Sequence, residues 1–134
     1  MIFLCDYYNQ ASMDLAYSLQ AAGYDATTVV INPDGFLPQG ALSPFTYYVE
    51  SEEETGKPRF FNQVPVPAFW EISGNNQMAR VSNLTEERAR ITYPEGSKAR
   101  IVKSVEWLDK SGKIRQVDHY NKYGFCFAKT THDE

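Results

Sequence analysis

The chain has 134 residues, with 43% hydrophobic and 22% charged residues, a composition typical of one folded domain. A net charge of −4 and a pI near 5.2 give no sign of the basic face that phosphate binding requires, which argues against a nucleic-acid binder. No apolar run approaches the roughly 20 residues of a transmembrane helix, and the N-terminus does not resemble a secretory leader.

The N-terminal segment predicts a strand, a helix and a second strand. Ile2–Cys5 is a short apolar run, Ser12 is a predicted N-cap, and a helix is expected over Met13–Ala22. The β-branched run Thr27–Ile31 is typical of a strand covered on both sides. These three elements form a βαβ unit, assigned to residues 1–33, and a parallel pair of this kind needs neighbouring strands.

The remainder of the chain alternates between short strand-like runs and turn residues. It predicts no helix of three turns, and residues 131–134 are expected to be a polar tail. The expected strands are Thr46–Glu50, Arg59–Gln63, Ala68–Ile72, Met78–Ser82, Arg88–Tyr93, Ala99–Leu108, Lys113–Tyr120 and Phe125–Thr130.

Two turn signals join the last three of these strands. Asp109–Gly112 and Asn121–Gly124 each begin with an Asx residue and end with a glycine three positions later, which suits a tight hairpin turn. The sequence therefore predicts an α+β protein in which the βαβ segment is followed by a mainly antiparallel meander over residues 34–130. Its many aromatic residues predict a sheet with surface left over for a partner.

Candidate catalytic groups are few. Asp118 and His119 are adjacent on a predicted strand, so their side chains are expected on opposite faces, where they cannot form a dyad. Two histidines and the distant Cys5 and Cys126 give no metal-ligand spacing, and the cysteines are expected to be free, buried thiols. No glycine-rich phosphate loop follows the first strand.

The proline-rich segment Phe61–Trp70 is the other distinctive part. Pro65 and Pro67 cannot donate hydrogen bonds to a strand ladder, so this segment is expected at an edge or in a crossover. The aromatic residues that follow, Phe69 and Trp70, fit a docking surface for a partner or a sugar as well as they fit a core.

Several motifs, in order along nearly the whole chain, resemble those of the GtfB family, the glycosylation chaperones of the accessory Sec system in Gram-positive bacteria. The match is to the N-terminal part of these longer proteins. The most specific motif is Asp118-His-Tyr-Asn-Lys-Tyr-Gly124. The shorter ones are Asp34-Gly-Phe-Leu-Pro38 with Gly40 and Ser43-Pro44, Phe61-Asn-Gln63, and Ser104-Val105 with Trp107.

The resemblance implies a GT-B-like but catalytically silent protein. Such proteins pair with a catalytic subunit, GtfA, which moves N-acetylglucosamine from a UDP-sugar onto Ser and Thr of serine-rich repeat adhesins. They stabilise this O-GlcNAc transferase and help bind its acceptor polypeptide. In both subunits an antiparallel sheet is inserted into the first Rossmann-like domain, and the two subunits pair through these sheets. On this pattern residues 1–33 open the Rossmann-like domain, and residues 34–130 are the inserted sheet.

The same resemblance predicts a cytoplasmic location, or a peripheral one at the inner face of the cell membrane. It predicts no catalytic residue, metal or cofactor, and no nucleotide-sugar site, since such sites lie between two Rossmann-like domains. The expected partner-binding residues are Tyr47, Phe61, Trp70, Trp107, His119, Tyr120 and Tyr123.

Three alternatives stay open from the sequence. One is a carbohydrate-active enzyme or glycosyltransferase fragment that uses Asp118, His119 or Asp6. Another is a self-contained sugar-binding or peptide-binding β module. The third concerns assembly, because the isolated chain could also pair with a second copy of itself.

Overall fold

A computed structural model of the chain describes residues 1–38, 40–47 and 56–132. Its N-terminal part is a parallel sheet of three strands in the order β1-β2-β3, with a helix between the first two. These elements are β1 (Ile2–Cys5), α1 (Gln10–Ala21), β2 (Thr27–Val30) and β3 (Ala41–Leu42). The predicted βαβ unit is confirmed.

Helix α1 begins earlier than the sequence predicted. Asn9, not Ser12, is the N-cap: its side chain accepts a hydrogen bond from Ser12 N at 3.0 Å. In return, Asn9 N donates to Ser12 Oγ at 2.8 Å, which completes a reciprocal capping box. The prediction missed this because both residues are good caps, and only their mutual bonding shows which one starts the helix.

The parallel sheet continues past residue 33. Its third strand, β3, pairs with β2 through Thr28–Ala41 and Val29–Leu42, so part of the segment 34–130 belongs to this sheet. The expected strand Thr46–Glu50 is wrong as far as the described residues go, because a one-turn helix α2 spans Pro44–Tyr47. Proline suits the first position of a helix, since its missing N–H has no partner there in any case.

The larger part of the molecule is a six-stranded antiparallel sheet in the order β4-β5-β6-β7-β8-β9. The strands are β4 (Glu71–Gly74), β5 (Met78–Ser82), β6 (Glu87–Thr92), β7 (Ser104–Leu108), β8 (Ile114–Tyr120) and β9 (Cys126–Thr131). Strands that follow one another in the sequence are also adjacent in the sheet. The α+β fold with an antiparallel meander is therefore confirmed.

Both predicted hairpin turns are present. Gly112 N donates to Asp109 O at 3.1 Å, and Gly124 N donates to Asn121 O at the same distance. The two glycines have φ of +85° and +86°, values that residues with a side chain rarely adopt. Strand β9 runs one residue further than expected, since Thr131 pairs with Gln116.

The core lies on one face of this sheet. Val81, Ala89, Ile91 and Val105 occupy successive strands on that face, and each is at most 1% exposed. The proline-rich segment covers them: Val64 is buried, and its apolar neighbours pack against the same cluster. Here the expected strand Arg59–Gln63 is wrong. The segment instead forms a short 3₁₀ helix, Phe61–Gln63, and contributes only an isolated bridge from Phe60 to Ile101.

On β5 and β6 the opposite face of the sheet carries charged side chains. Arg80 and Arg90 face each other across β5 and β6, and both guanidinium groups approach the carboxylate of Glu87, at 3.8 Å and 2.9 Å. Exposed ion pairs of this kind contribute little to stability. On β5 and β6 the buried aliphatic side chains of Ala79, Val81, Ala89 and Ile91 therefore lie together on the covered side.

Candidate functional site

The junction between the parallel unit and the antiparallel sheet joins two of the resemblance motifs. Gly35 forms a parallel bridge with Asn121, and Lys122 N donates to Gly35 O at 3.0 Å. The Lys122 ammonium group reaches Leu37 O at 3.2 Å. The loop that follows β2 is thereby fastened to the hairpin that joins β8 to β9.

The side chain of Asn121 organises that hairpin from inside. It is 5% exposed, and its Oδ1 accepts hydrogen bonds from Tyr123 N and Phe125 N, both at 3.0 Å. Its backbone N also donates to Phe125 O at 2.9 Å. This explains why the motif needs asparagine and glycine three positions apart, because a short side-chain acceptor must satisfy the turn amides before the chain reverses.

Arg59 holds the same hairpin from a different part of the chain. Its Nε donates to Gly124 O at 3.1 Å and its Nη1 to Gln63 O at 2.9 Å. The guanidinium carbon lies 5.6 Å from the centre of the Tyr120 ring, within cation–π range. Beside this contact is a shallow cavity of about 360 Å³, lined by Lys57, Arg59, Gln63, Tyr123, Gly124 and Phe125.

Asp118 and His119 lie on opposite faces of β8, as predicted. Asp118 is 9% exposed on the core side, where Trp107 Nε1 donates to one carboxylate oxygen at 3.0 Å and Gln116 Nε2 to the other at 2.6 Å. His119 Nε2 lies 2.8 Å from Thr130 Oγ1. Burial lowers the pKa of His119, the Asp118 charge opposes this shift, and Lys103 adds to it. Separated in this way, the two groups cannot act as base and orienter.

The predicted partner-binding residues have unequal exposure. Tyr120 is 6% exposed and belongs to the core, which gives it a role in the fold. Phe61, Trp70 and Trp107 are half-buried against that core, and Tyr123 is half-buried on the hairpin. Tyr47 ends α2, and its side chain lies outside the described part of the structure. Their role in binding stays a prediction.

The two most exposed large apolar side chains of the described residues were absent from the predicted set. Phe69 and Leu84 are 92% and 91% exposed. The sequence places Phe69 beside Trp70 without showing which ring enters the core, and Leu84 lies in the turn between β5 and β6.

Metal sites, cysteine chemistry and membrane-spanning helices are the other candidate features in the described part of the chain. No group of three or more His, Cys, Asp or Glu side chains there has the geometry to hold a metal ion. Cys5 and Cys126 are free thiols, as predicted, but neither is buried: Cys5 is half-buried and Cys126 is exposed. None of the described helices has the length and apolar character needed to cross a membrane.

Two family models match the chain. The GtfB N-terminal domain matches residues 2–48, and the GtfB middle domain matches residues 70–134. The chain belongs to the GtfB family. The two matches flank the 3₁₀ helix, so one GtfB domain takes the parallel unit and the other takes the antiparallel sheet.

Individual relatives agree with this assignment. The chain is 56% identical over 132 residues to the UDP-N-acetylglucosamine–peptide N-acetylglucosaminyltransferase stabilizing protein GtfB of Streptococcus gordonii, and 57% identical over 132 residues to that of Streptococcus pneumoniae serotype 4. Each match covers 98% of this chain and 29% of the relative. In the crystal structure of the GtfA/B complex bound to UDP and GlcNAc, a chain that is 56% identical superimposes with a TM-score of 0.82 over 99% of this chain and 30% of its own length.

Proposed function

We propose that this chain is the N-terminal part of a non-catalytic subunit that stabilises a partner O-GlcNAc glycosyltransferase. On this proposal it pairs with a GtfA-type catalytic subunit through its antiparallel sheet domain and helps bind the serine-rich acceptor polypeptide. It acts in the cytoplasm or at the inner face of the membrane. The single observation that carries the proposal is its 56–57% identity, along almost its full length, to GtfB stabilizing proteins.

The geometry supports a binding role over catalysis. Asp118, the most deeply placed carboxylate of the candidate set, has both oxygens occupied by donors from its own sheet. A general base needs a free acceptor within reach of the substrate proton. His119 lies on the opposite face, 2.8 Å from Thr130 Oγ1, so Asp118 and His119 do not form a pair that the enzymatic alternative could use.

The antiparallel sheet is suited to pairing because contacts with other segments hold its shape. Arg59 and the Gly35 loop hold the hairpin nearest the parallel unit, and Trp70 and Val64 close the core. A surface held in its bound shape loses less conformational entropy on association, which favours affinity. Stabilisation of the enzyme then follows from mass action, since a partner that binds only the folded state shifts folding towards that state.

Co-purification with a tagged GtfA-type subunit tests pairing, and the subunit's thermal unfolding with and without the chain tests stabilisation. We expect a stoichiometric complex and a higher melting temperature for the enzyme. Calorimetric titration of the chain alone with UDP-N-acetylglucosamine should show no heat of binding. Micromolar binding of that nucleotide sugar without a partner would favour the enzymatic alternative, and tight binding of an acceptor peptide by the chain alone would favour the independent β module.

A matched pair of variants tests the predicted contact at the hairpin. Tyr123→Ala removes a half-exposed ring from the antiparallel sheet domain, whereas Tyr17→Ala removes a ring that is 75% exposed on α1. We expect the first to weaken pairing and the second to leave it unchanged. Equal affinities for the two variants would remove Tyr123 from the proposed contact surface.

A further inference from the structure

The turn at residues 121–124, here called the Asn121 turn, is enclosed by two other segments of the chain. Asn121 is 5% exposed, whereas residues 110–112 of the other predicted hairpin turn are exposed to solvent. A Cβ atom at Gly35 or at Gly56 would overlap the backbone of the Asn121 turn. Neither glycine has a positive φ, so the close approach of another backbone is what excludes a side chain at these positions.

The segment that begins at Gly56 holds the Asn121 turn from the side of the antiparallel sheet. Arg59 Nε donates to Gly124 O at 3.1 Å. The same segment is bonded to the chain between β6 and β7, where Val102 N donates to Arg59 O at 2.8 Å. The turn is therefore held within the sheet by a segment that the sheet itself holds.

The loop that reaches the Asn121 turn from the parallel unit is anchored at both of its ends. It begins after β2 and ends at β3, and these two strands pair with each other. Its middle is bonded to Lys122, whose backbone N donates to Gly35 O at 3.0 Å and whose ammonium group donates to Leu37 O at 3.2 Å. Leu37 is 8% exposed, so a shift of the turn against the parallel sheet would break hydrogen bonds at a buried contact.

This connection differs from an ordinary linker between domains. Relative motion is the usual behaviour of domains joined by an exposed segment that few contacts cross. Here the crossing is made by a loop fixed in one sheet and a turn fixed in the other, and α2, which follows β3, also contacts β9. The two parts held together are the regions that the two GtfB family models match separately.

We propose that the Asn121 turn joins the parallel unit and the antiparallel sheet into one rigid body, with Gly35 and Lys122 as positioning residues that set the angle between them. The two regions matched by separate family models then do not hinge against each other. This inference goes beyond the proposed function and does not depend on it. Where pairing occurs through the sheet, the rigid body also fixes where the parallel unit lies relative to the partner.

Spin labels in the two parts measure this angle. Tyr17→Cys on α1 and Leu84→Cys between β5 and β6 place labels at exposed positions, in a chain whose own thiols are removed by Cys5→Ser and Cys126→Ser. Electron–electron double resonance then gives the distribution of distances between the labels. We expect one narrow distribution for this labelled chain. Adding Gly35→Ala should make it about twice as wide, because the new Cβ atom pushes the loop away from the turn.

Two further variants separate the angle from stability. Lys122→Met removes the bond to Leu37 O but keeps the backbone bond to Gly35 O, so it should widen the distribution less than Gly35→Ala does. Gly112→Ala is the control, because its strain is in the turn between β7 and β8 and its Cβ atom would meet open space. It should lower the urea midpoint and leave the distribution narrow.

Each outcome supports or overturns the inference. A wide or two-peaked distribution for the labelled chain without further changes would mean that the two parts hinge, and would overturn it. An unchanged width in Gly35→Ala would overturn it as well, and if that variant does not fold, an unchanged width in Lys122→Met would do so. A Gly112→Ala distribution as wide as that of Gly35→Ala would also overturn it, since the width would then follow stability. Failure to pair with a GtfA-type subunit would remove the proposed function and leave this inference standing.

Discussion

Replacing Gly35 with alanine tests whether the parallel unit is truly fastened to the antiparallel sheet. A Cβ atom at this position would lie 2.4 Å from Asn121 Cα and 2.5 Å from Tyr120 O. Both are backbone positions, so no side-chain rotation relieves the clash. Asn121 is itself held by the turn it caps, and the Gly35 loop must therefore move away.

The expected loss of folding stability follows from the contacts that this movement breaks. Overpacking of a close contact costs about 1–3 kcal/mol, and loss of the bond from Lys122 N to Gly35 O adds about 1 kcal/mol. The stiffer unfolded chain of the variant offsets about 0.4–1 kcal/mol. We expect Gly35→Ala to lower the free energy of unfolding by about 2 kcal/mol, within a range of about 1–3.6 kcal/mol.

Urea unfolding followed by tryptophan fluorescence measures this loss. Both tryptophans, Trp70 and Trp107, pack against the core of the antiparallel sheet and report on its unfolding. The midpoint should fall by about 1–2 M. Gly112→Ala is the control: its Cβ has open space, and only its φ of +85° is unfavourable, so about 1 kcal/mol is expected. A Gly35→Ala loss below that of Gly112→Ala would refute the steric reasoning.

Three further outcomes are expected. Asp118→Ala should destabilise the fold by about 2–3 kcal/mol in urea unfolding, because it leaves the Trp107 and Gln116 donors without acceptors, and Asp118→Asn should cost less because it keeps one carbonyl oxygen. Burial lowers the pKa of His119, so the stability that this residue contributes is complete above its unfolded pKa of about 6.5 and is lost as pH falls through the lower folded pKa. His119→Gln should therefore flatten the dependence of the free energy of unfolding on pH in this range, and an unchanged dependence would contradict the reasoning. Although Cys126 is an exposed residue, partial desolvation of its thiol and then the Asp118 charge raise the thiol pKa. Iodoacetamide should therefore modify Cys126 more slowly at pH 7 in the native chain than in urea, and equal rates would show an ordinary thiol.

Local sequence patterns alone were enough to predict the two hairpin turns, the strands that they join and the faces on which Asp118 and His119 lie. The turns at Asp109–Gly112 and Asn121–Gly124 depend on an Asx side chain and a positive-φ glycine within four residues, so their chemistry is fully written in the sequence. The last three strands of the meander follow, because each tight turn places the two strands that it joins side by side and antiparallel. The opposite placement of Asp118 and His119 is likewise a consequence of strand periodicity.

Only the tertiary structure decided features that join distant segments. That Gly35 must be glycine depends on Asn121, which is distant in the sequence but adjacent to Gly35 in the fold. The proline-rich segment has no period, so nothing local shows that Trp70 enters the core while Phe69 turns outward. The exposed side chains of Phe69 and Leu84 lie beside one depression because two loops meet in space, and periodicity, propensity and turn chemistry describe only one loop at a time.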